Sequence, residues 1–243
     1  MVWDQDVAGS NPAIPTFLVW VDMKRWKLKR ALKKYRKLIF PLDLLLQTFE
    51  INNYEYAIIG GFVRRVLTNN WKGFVDIDIV VDLPKNEIEH ILKSYRLSTR
   101  ENSNGGFSIY DRYSKMKVDL WSLQDHKPFT VNFPWAKRTF KNIQEVSIIS
   151  TDGGTYLPQK NKLYCKYLNQ SIKENKVFLL CCPYNFLGKS VIGARLKFLE
   201  DTTSFSLNCA AKEFVNYCFQ SEKTKALAES YYKHLVGVHS KKW

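Results

Sequence analysis

Residues 54–84 read YEYAIIGGFVRRVLTNNWKGFVDIDIVVDLP. The run Tyr54–Ile59 is short, mostly apolar and closed by Gly60-Gly61, which is the pattern of a buried strand. Phe62–Thr68 follows with helical spacing and is ended by Asn69-Asn70. Phe74–Val81 alternates as a strand does, carrying Asp76 and Asp78 among Val75, Ile77, Ile79 and Val80. Side chains two apart on a strand share a face, with Cα atoms ~6–7 Å apart. The two carboxylates therefore project together from an apolar strand, where simple solvation does not account for them.

The pattern continues in both directions. Upstream, KRWKLKRALKKYRK opens a helix whose Leu28, Leu32, Tyr35 and Ile39 fall on one face. Pro41 interrupts it, and a second short helix turns Leu42, Leu45, Leu46 and Phe49 inward. Downstream, Pro84 starts a helix through about Tyr95, and Asn102–Gly106 is a turn. Phe107–Tyr110 and Lys117–Leu123 read as two strands. Val146 opens another strand that ends in a Gly-Gly turn. The order strand, helix, strand, helix, strand, strand predicts an α+β fold, with a mixed sheet and flanking helices rather than a doubly wound one. From Leu187 the chain turns helical (Val191–Glu200, Leu207–Gln220, Glu222–Val236). The expected organisation is a head domain over 23–157 and a small helical subdomain over 158–243.

Residues 1–22 have no helical or strand period and are expected to be a leader outside the folded protein. Gly9-Ser10-Asn11-Pro12 can be encoded by the T-arm of a transfer-RNA gene, which places the natural start at Met23. Upstream DNA without such a gene would contradict this.

Composition narrows the class. At 243 residues and 45% hydrophobic content the chain can bury a substantial core. No run has the length of a membrane span and no secretory signal is visible, so the reading is a cytoplasmic protein without membrane contact. The five cysteines lack CxxC spacing, which excludes a zinc cluster and a disulfide framework. The adjacent Cys181 and Cys182 read as core packing, and the four histidines as surface positions. A net charge of +14 points to a polyanionic partner. Lys24, Arg25, Lys29, Arg30, Lys33 and Lys34 form a basic helix face suited to a phosphate backbone.

The chemistry follows from the residue types. Asp76 and Asp78 can share hard cations, and Asp119, alone in the apolar strand KVDLWSL, is the natural third ligand. Two Mg2+ (or Mn2+) ions on this set can clamp the attacking and leaving oxygens of a phosphoryl displacement, with Asp119 binding metal or taking the acceptor's proton. Gly60 and Gly61 allow backbone N–H groups to approach a phosphate at the positive end of the following helix. Arg64, one turn in, supplies a charged hydrogen bond to a triphosphate, whereas Arg65 points elsewhere and reads as surface. Asp82 reads as a cap for the next helix.

With these residues in place the chain resembles the polymerase-β-type nucleotidyltransferase superfamily, and within it the head domain of bacterial CCA-adding enzymes and poly(A) polymerases. Gly60-Gly61-Phe62-Val63-Arg64 matches the GGxVRD motif, with Arg65 where the family has Asp, and Asp76-Ile77-Asp78 matches its metal-binding pair. Phe129-Thr130-Val131-Asn132 is similar to DFTxNA, with Pro128 for its Asp. Thr151-Asp152-Gly153-Gly154 is similar to the later Asp-x-x-Gly turn, and Ala194–Phe198 to a helix ending in Arg-Phe. The EDxxR motif that selects CTP and ATP has no counterpart.

The resemblance implies nucleotidyl transfer from an NTP, but not CCA addition. The reading is transfer of a nucleoside monophosphate to RNA, such as a tRNA 3′ end, with release of pyrophosphate. Two alternatives stay open. One is transfer to a protein or small molecule, as toxin or resistance enzymes do; the other is an inert RNA-binding head domain.

Overall fold

A computed structural model describes residues 16–70, 76–102, 105–183 and 185–240. Helix α1 (Thr16–Leu38) begins inside the expected leader, because Thr16–Met23 holds neither glycine nor proline to stop it. The rest of that segment, residues 1–15, lies outside the described residues. Leu28, Leu32 and Ile39 are buried, and Tyr35 stands edge-on to Phe62 with ring centroids 5.8 Å apart. Pro41 sits in the first turn of α2 (Phe40–Ile51), where its missing N–H costs nothing. Leu42, Leu45, Leu46 and Phe49 of α2 are fully buried, each worth about 1.5–3 kcal/mol in transfer from water.

Next come β1 (Tyr56–Ile59), α3 (Gly61–Thr68), β2 (Asp76–Val81) and α4 (Lys85–Ser94). The expected start of β2 at Phe74-Val75 lies outside the described residues. Three strands follow, β3 (Thr99–Glu101), β4 (Phe107–Tyr110) and β5 (Lys117–Ser122). A hairpin of β6 (Thr155–Leu157) and β7 (Lys162–Tyr164) completes a seven-stranded sheet of order β3-β4-β5-β2-β1-β6-β7. β2 runs parallel to β5 and antiparallel to β1, so the sheet is mixed as expected.

The two sheet faces differ. Ile58, Ile77, Ile79, Val81, Val118 and Leu120 join α1, α2 and α3 in the larger core. The other face is apolar only toward the C-terminal end of β2, where Ile59, Val80, Phe129, Phe140 and Ile143 pack together. Phe129 lies in a π-helical turn, Pro128–Asn132, and is fully buried. At the N-terminal end of β2 the same face carries Asp76 and Asp78.

Several expectations are corrected. The exposed edge strand β3 and the hairpin strand β7 carry no apolar alternation that would have marked them. β7 carries the sheet past residue 157, into the stretch where the sequence offers no sharp boundary. Val146–Ile149 is not a ladder strand. Its segment makes a single bridge, Ile149 to Leu179, and the strand comes after the Gly153-Gly154 turn. The turn between them needs a glycine, since a Cβ on Gly154 would lie 2.6 Å from Val63 Cγ1.

The C-terminal part holds α5 (Lys166–Glu174), β8 (Lys176–Val177), α6 (Phe186–Thr202), β9 (Ser206–Leu207), α7 (Cys209–Gln220) and α8 (Lys225–Ser240). β8 and β9 pair in parallel as a separate two-stranded sheet. Ile192, Leu196, Leu199, Phe214, Val215 and Ala228 form the core of this region. Cys182 is exposed and Cys181 half-buried, so the pair is not core packing. His126, by contrast, is buried against Trp121 and Phe129, and burial pulls its imidazole down to about 4. No helix among the described residues is long and apolar enough to cross a membrane.

Candidate active site

The parallel register of β2 and β5 sets Asp76 opposite Lys117 and Asp78 opposite Asp119. All four side chains leave the same sheet face, so three carboxylates and one ammonium form a two-by-two array. Asp76, Asp78 and Asp119 each offer an oxygen within 4.8 Å of the others. The sequence-predicted triad is therefore brought together.

Asp119 is buried and both its oxygens are engaged. Ser108 Oγ, on the adjoining strand β4, donates to Oδ1 at 2.5 Å, and Lys117 Nζ lies 2.5 Å from Oδ2. Lys117 Nζ also reaches to 3.8 Å from Asp76 Oδ2. Burial works against the Lys117 charge, but Asp119 and Asp76 outweigh it and hold the ammonium above its usual range. Burial, then repulsion from Asp76 and Asp119, pushes the Asp78 carboxyl well above the usual carboxylate range. An all-oxygen set of crowded carboxylates with one member pressed toward neutrality fits a hard divalent cation.

Gly60 closes β1 at φ +64°, ψ −129°, a conformation that side chains disfavour. A Cβ there would lie 3.1 Å from Asp78 Oδ2, so the glycine also makes room for the carboxylate. Its N–H donates to the Gly154 carbonyl at 3.0 Å. The Gly60 N–H, expected to face a phosphate, is thus engaged within the protein. The N–H of Gly61 opens α3, where helical N–H groups lack intrahelical partners.

Arg64 Nη1 donates to Asp152 Oδ1 at 2.8 Å, and Arg195 Nη2, from α6, donates to Asp152 Oδ2 at 2.7 Å. Asp152 raises the Arg195 guanidinium, and Asp78 and Asp76 act on it in the same direction. Arg65 is half-buried rather than surface, donating to the Asn70 carbonyl. Burial and the neighbouring Arg64 pull it down to about 10. Asp82 caps no helix, since α4 has no side-chain cap; it accepts from Gln124 Nε2 at 3.0 Å.

In the sequence, Asp152 and Arg195 are marked only by the resemblance, and Lys117 and Ser108 carry no motif. Lys117 was visible in principle, being two residues before Asp119 and so on its face. Ser108 enters through strand pairing alone.

The basic face of α1 is narrower than expected. Lys24 is buried, donates to Asn169 Oδ1 at 2.6 Å, and is pulled down to about 8 by burial. Arg25 pairs with Asp22 at 3.2 Å. Lys29, Arg30, Lys33 and Lys34 are exposed, and Arg30 lies over the exposed Trp26 ring, 5.2 Å from its centroid.

No protein-family model and no curated protein sequence matches the chain. Solved structures do. A CCA-adding enzyme in complex with ATP aligns with TM-score 0.54 and 14% identity, over 92% of this chain and 47% of that one. A CCA-adding enzyme in complex with CTP aligns at 0.52 and 14%, over 78% and 44%. The Thermotoga maritima CCA-adding enzyme complexed with tRNA_CCA aligns at 0.52 and 15%, over 94% and 48%. This chain spans a little under half the length of each. With its mixed sheet, its β1–glycine–α3 turn and its Asp-x-Asp strand, the chain carries the fold of the nucleotidyltransferase head domain.

Proposed function

We propose that this chain is a divalent-cation-dependent nucleotidyltransferase that moves a nucleoside monophosphate from an NTP to RNA and releases pyrophosphate. The observation that carries the reading is the array of Asp76, Asp78 and Asp119, assembled in this fold beside the Gly60-Gly61 turn and α3. Asp76 and Asp78 are the residues that would hold Mg2+ or Mn2+, and Asp119 completes the acidic set beside them. When bound, such an ion neutralises phosphate charge and acidifies an acceptor hydroxyl.

The chain's own residues do the rest. Gly60 holds β1 and α3 in the orientation that leaves space over Asp78. The N–H of Gly61 and the N-terminal end of α3 favour an anion there. Arg64 is pre-set by Asp152, and an incoming triphosphate competes with that carboxylate for its guanidinium. Ser108 orients Asp119 through its hydrogen bond to Oδ1. RNA as acceptor is supported by the +14 charge, by the exposed Lys29, Arg30, Lys33 and Lys34, and by the tRNA-bound likeness.

The test is pyrophosphate release from each NTP with Mg2+, with and without RNA. Release that requires RNA is expected. Release that needs a protein or small-molecule acceptor instead would remove RNA from the reading, and no release under any condition would remove the activity.

A further inference from the structure

We propose that Lys117 takes the place of one of the two divalent ions that a three-carboxylate site of this kind can hold, so that the chain loads a single ion. The inference rests on the nucleotidyltransferase reading above. Its basis is the position of the ammonium, between Asp119 Oδ2 at 2.5 Å and Asp76 Oδ2 at 3.8 Å. That position bridges the two strands, as an ion shared by Asp76 and Asp119 would.

Both oxygens of Asp119 are already engaged while this arrangement stands. Oδ1 accepts from Ser108 Oγ and Oδ2 is covered by Lys117. An ion entering on Asp119 must expel the ammonium or sit against it, cation beside cation. The lysine is tethered two residues from Asp119, so its local concentration does not fall with dilution. Asp78 is different. Among the described residues no ion pair within 4.0 Å is made by Asp78; Lys117 and Arg195 act on it only from further away, while Asp76 and Asp119 crowd it with like charge. One ion between Asp76 and Asp78 is therefore the occupancy the array supports, with Lys117 as a positioning residue that neutralises Asp119 and fixes its distance from Asp76.

The experiment titrates the full chain with Mn2+ and follows the electron paramagnetic resonance signal of the free ion. Melting by circular dichroism confirms that each variant is folded. The wild type is expected to take up one Mn2+ per chain. Lys117→Met is expected to take up two, and Lys117→Arg, which restores a cation, one. Two ions on the wild type would overturn the role of Lys117 and leave the metal site standing. A single ion on both the wild type and folded Lys117→Met would also overturn it. No uptake by the wild type would overturn the metal site itself, and the function read from it.

Discussion

Gly60 brings three constraints to one residue: a backbone in the left-handed half of conformational space, a hydrogen bond to Gly154, and 3.1 Å between a would-be Cβ and Asp78 Oδ2. Gly60→Ala is expected to destabilise the fold by about 1–2 kcal/mol through backbone strain. It should lower transfer activity by more than its loss of folded protein explains, because the methyl group pushes on Asp78. Activity per folded molecule, from paired melting and rate measurements, checks this.

Asp78 gives a pH prediction. Its folded-state carboxyl is raised, so between the usual carboxylate value and the raised one the folded state binds the proton that the unfolded chain has released. Metal-free stability is full below that window and falls as pH rises through it. Asp78→Asn removes the penalty and should raise the metal-free melting temperature at pH 7 by roughly 2–4 °C, the shift of ~1 kcal/mol in a chain of this length. Added Mn2+ should raise the melting temperature of the wild type and not of Asp78→Asn. Parallel pH profiles for the two proteins would contradict the repulsion. At this scale the carboxylate pair was legible, because alternation on one strand is a local signal. The capture of Asp119 by Ser108 was not, since it depends on which residues β4 and β5 place opposite each other.

Among the elements, α1 does two jobs with one run of basic residues. Lys24 faces inward onto α5, whereas Lys29, Arg30 and Lys33 face water. Lys24→Met should lower thermal stability and leave the salt dependence of RNA binding unchanged. Replacing Lys29, Arg30 and Lys33 by Gln should do the opposite, reducing the slope of log K against log salt by up to about one for each phosphate the helix no longer neutralises. RNA binding measured across a salt series separates the two. The charge pattern showed a basic helix but not which lysine the helix turns inward, because Lys24 is selected by Asn169, 145 residues away.

Helix α6 is tied to the head by Arg195 on Asp152, which also holds Arg64. The Arg195 side chain is exposed, so Arg195→Ala should cost no more than ~1 kcal/mol of stability by urea titration. A loss of several kcal/mol would show that the tie is buried in solution. The edge strands β3 and β7 were hidden in the sequence because short strands paired on one side need no apolar face. The central strands were legible because they are buried on both.

At the scale of the whole molecule, the sheet order and the acidic array follow from one topological fact: β5 returns parallel to β2, setting Asp119 beside Asp78. The mixed sheet could be read from element order, but this adjacency could not, because strand order is decided by long-range packing. Charge, fold and array each support the proposed nucleotidyl transfer to a polyanion. The most direct measurement incubates the full chain with each α-32P-labelled NTP, Mg2+ and RNA, beside Asp76→Ala/Asp78→Ala. Label on the RNA with at least one NTP, reduced by roughly 10³-fold (about 4 kcal/mol) in the double variant, is the predicted result. Unlabelled RNA with every NTP, or labelling that survives the loss of both carboxylates, would contradict it.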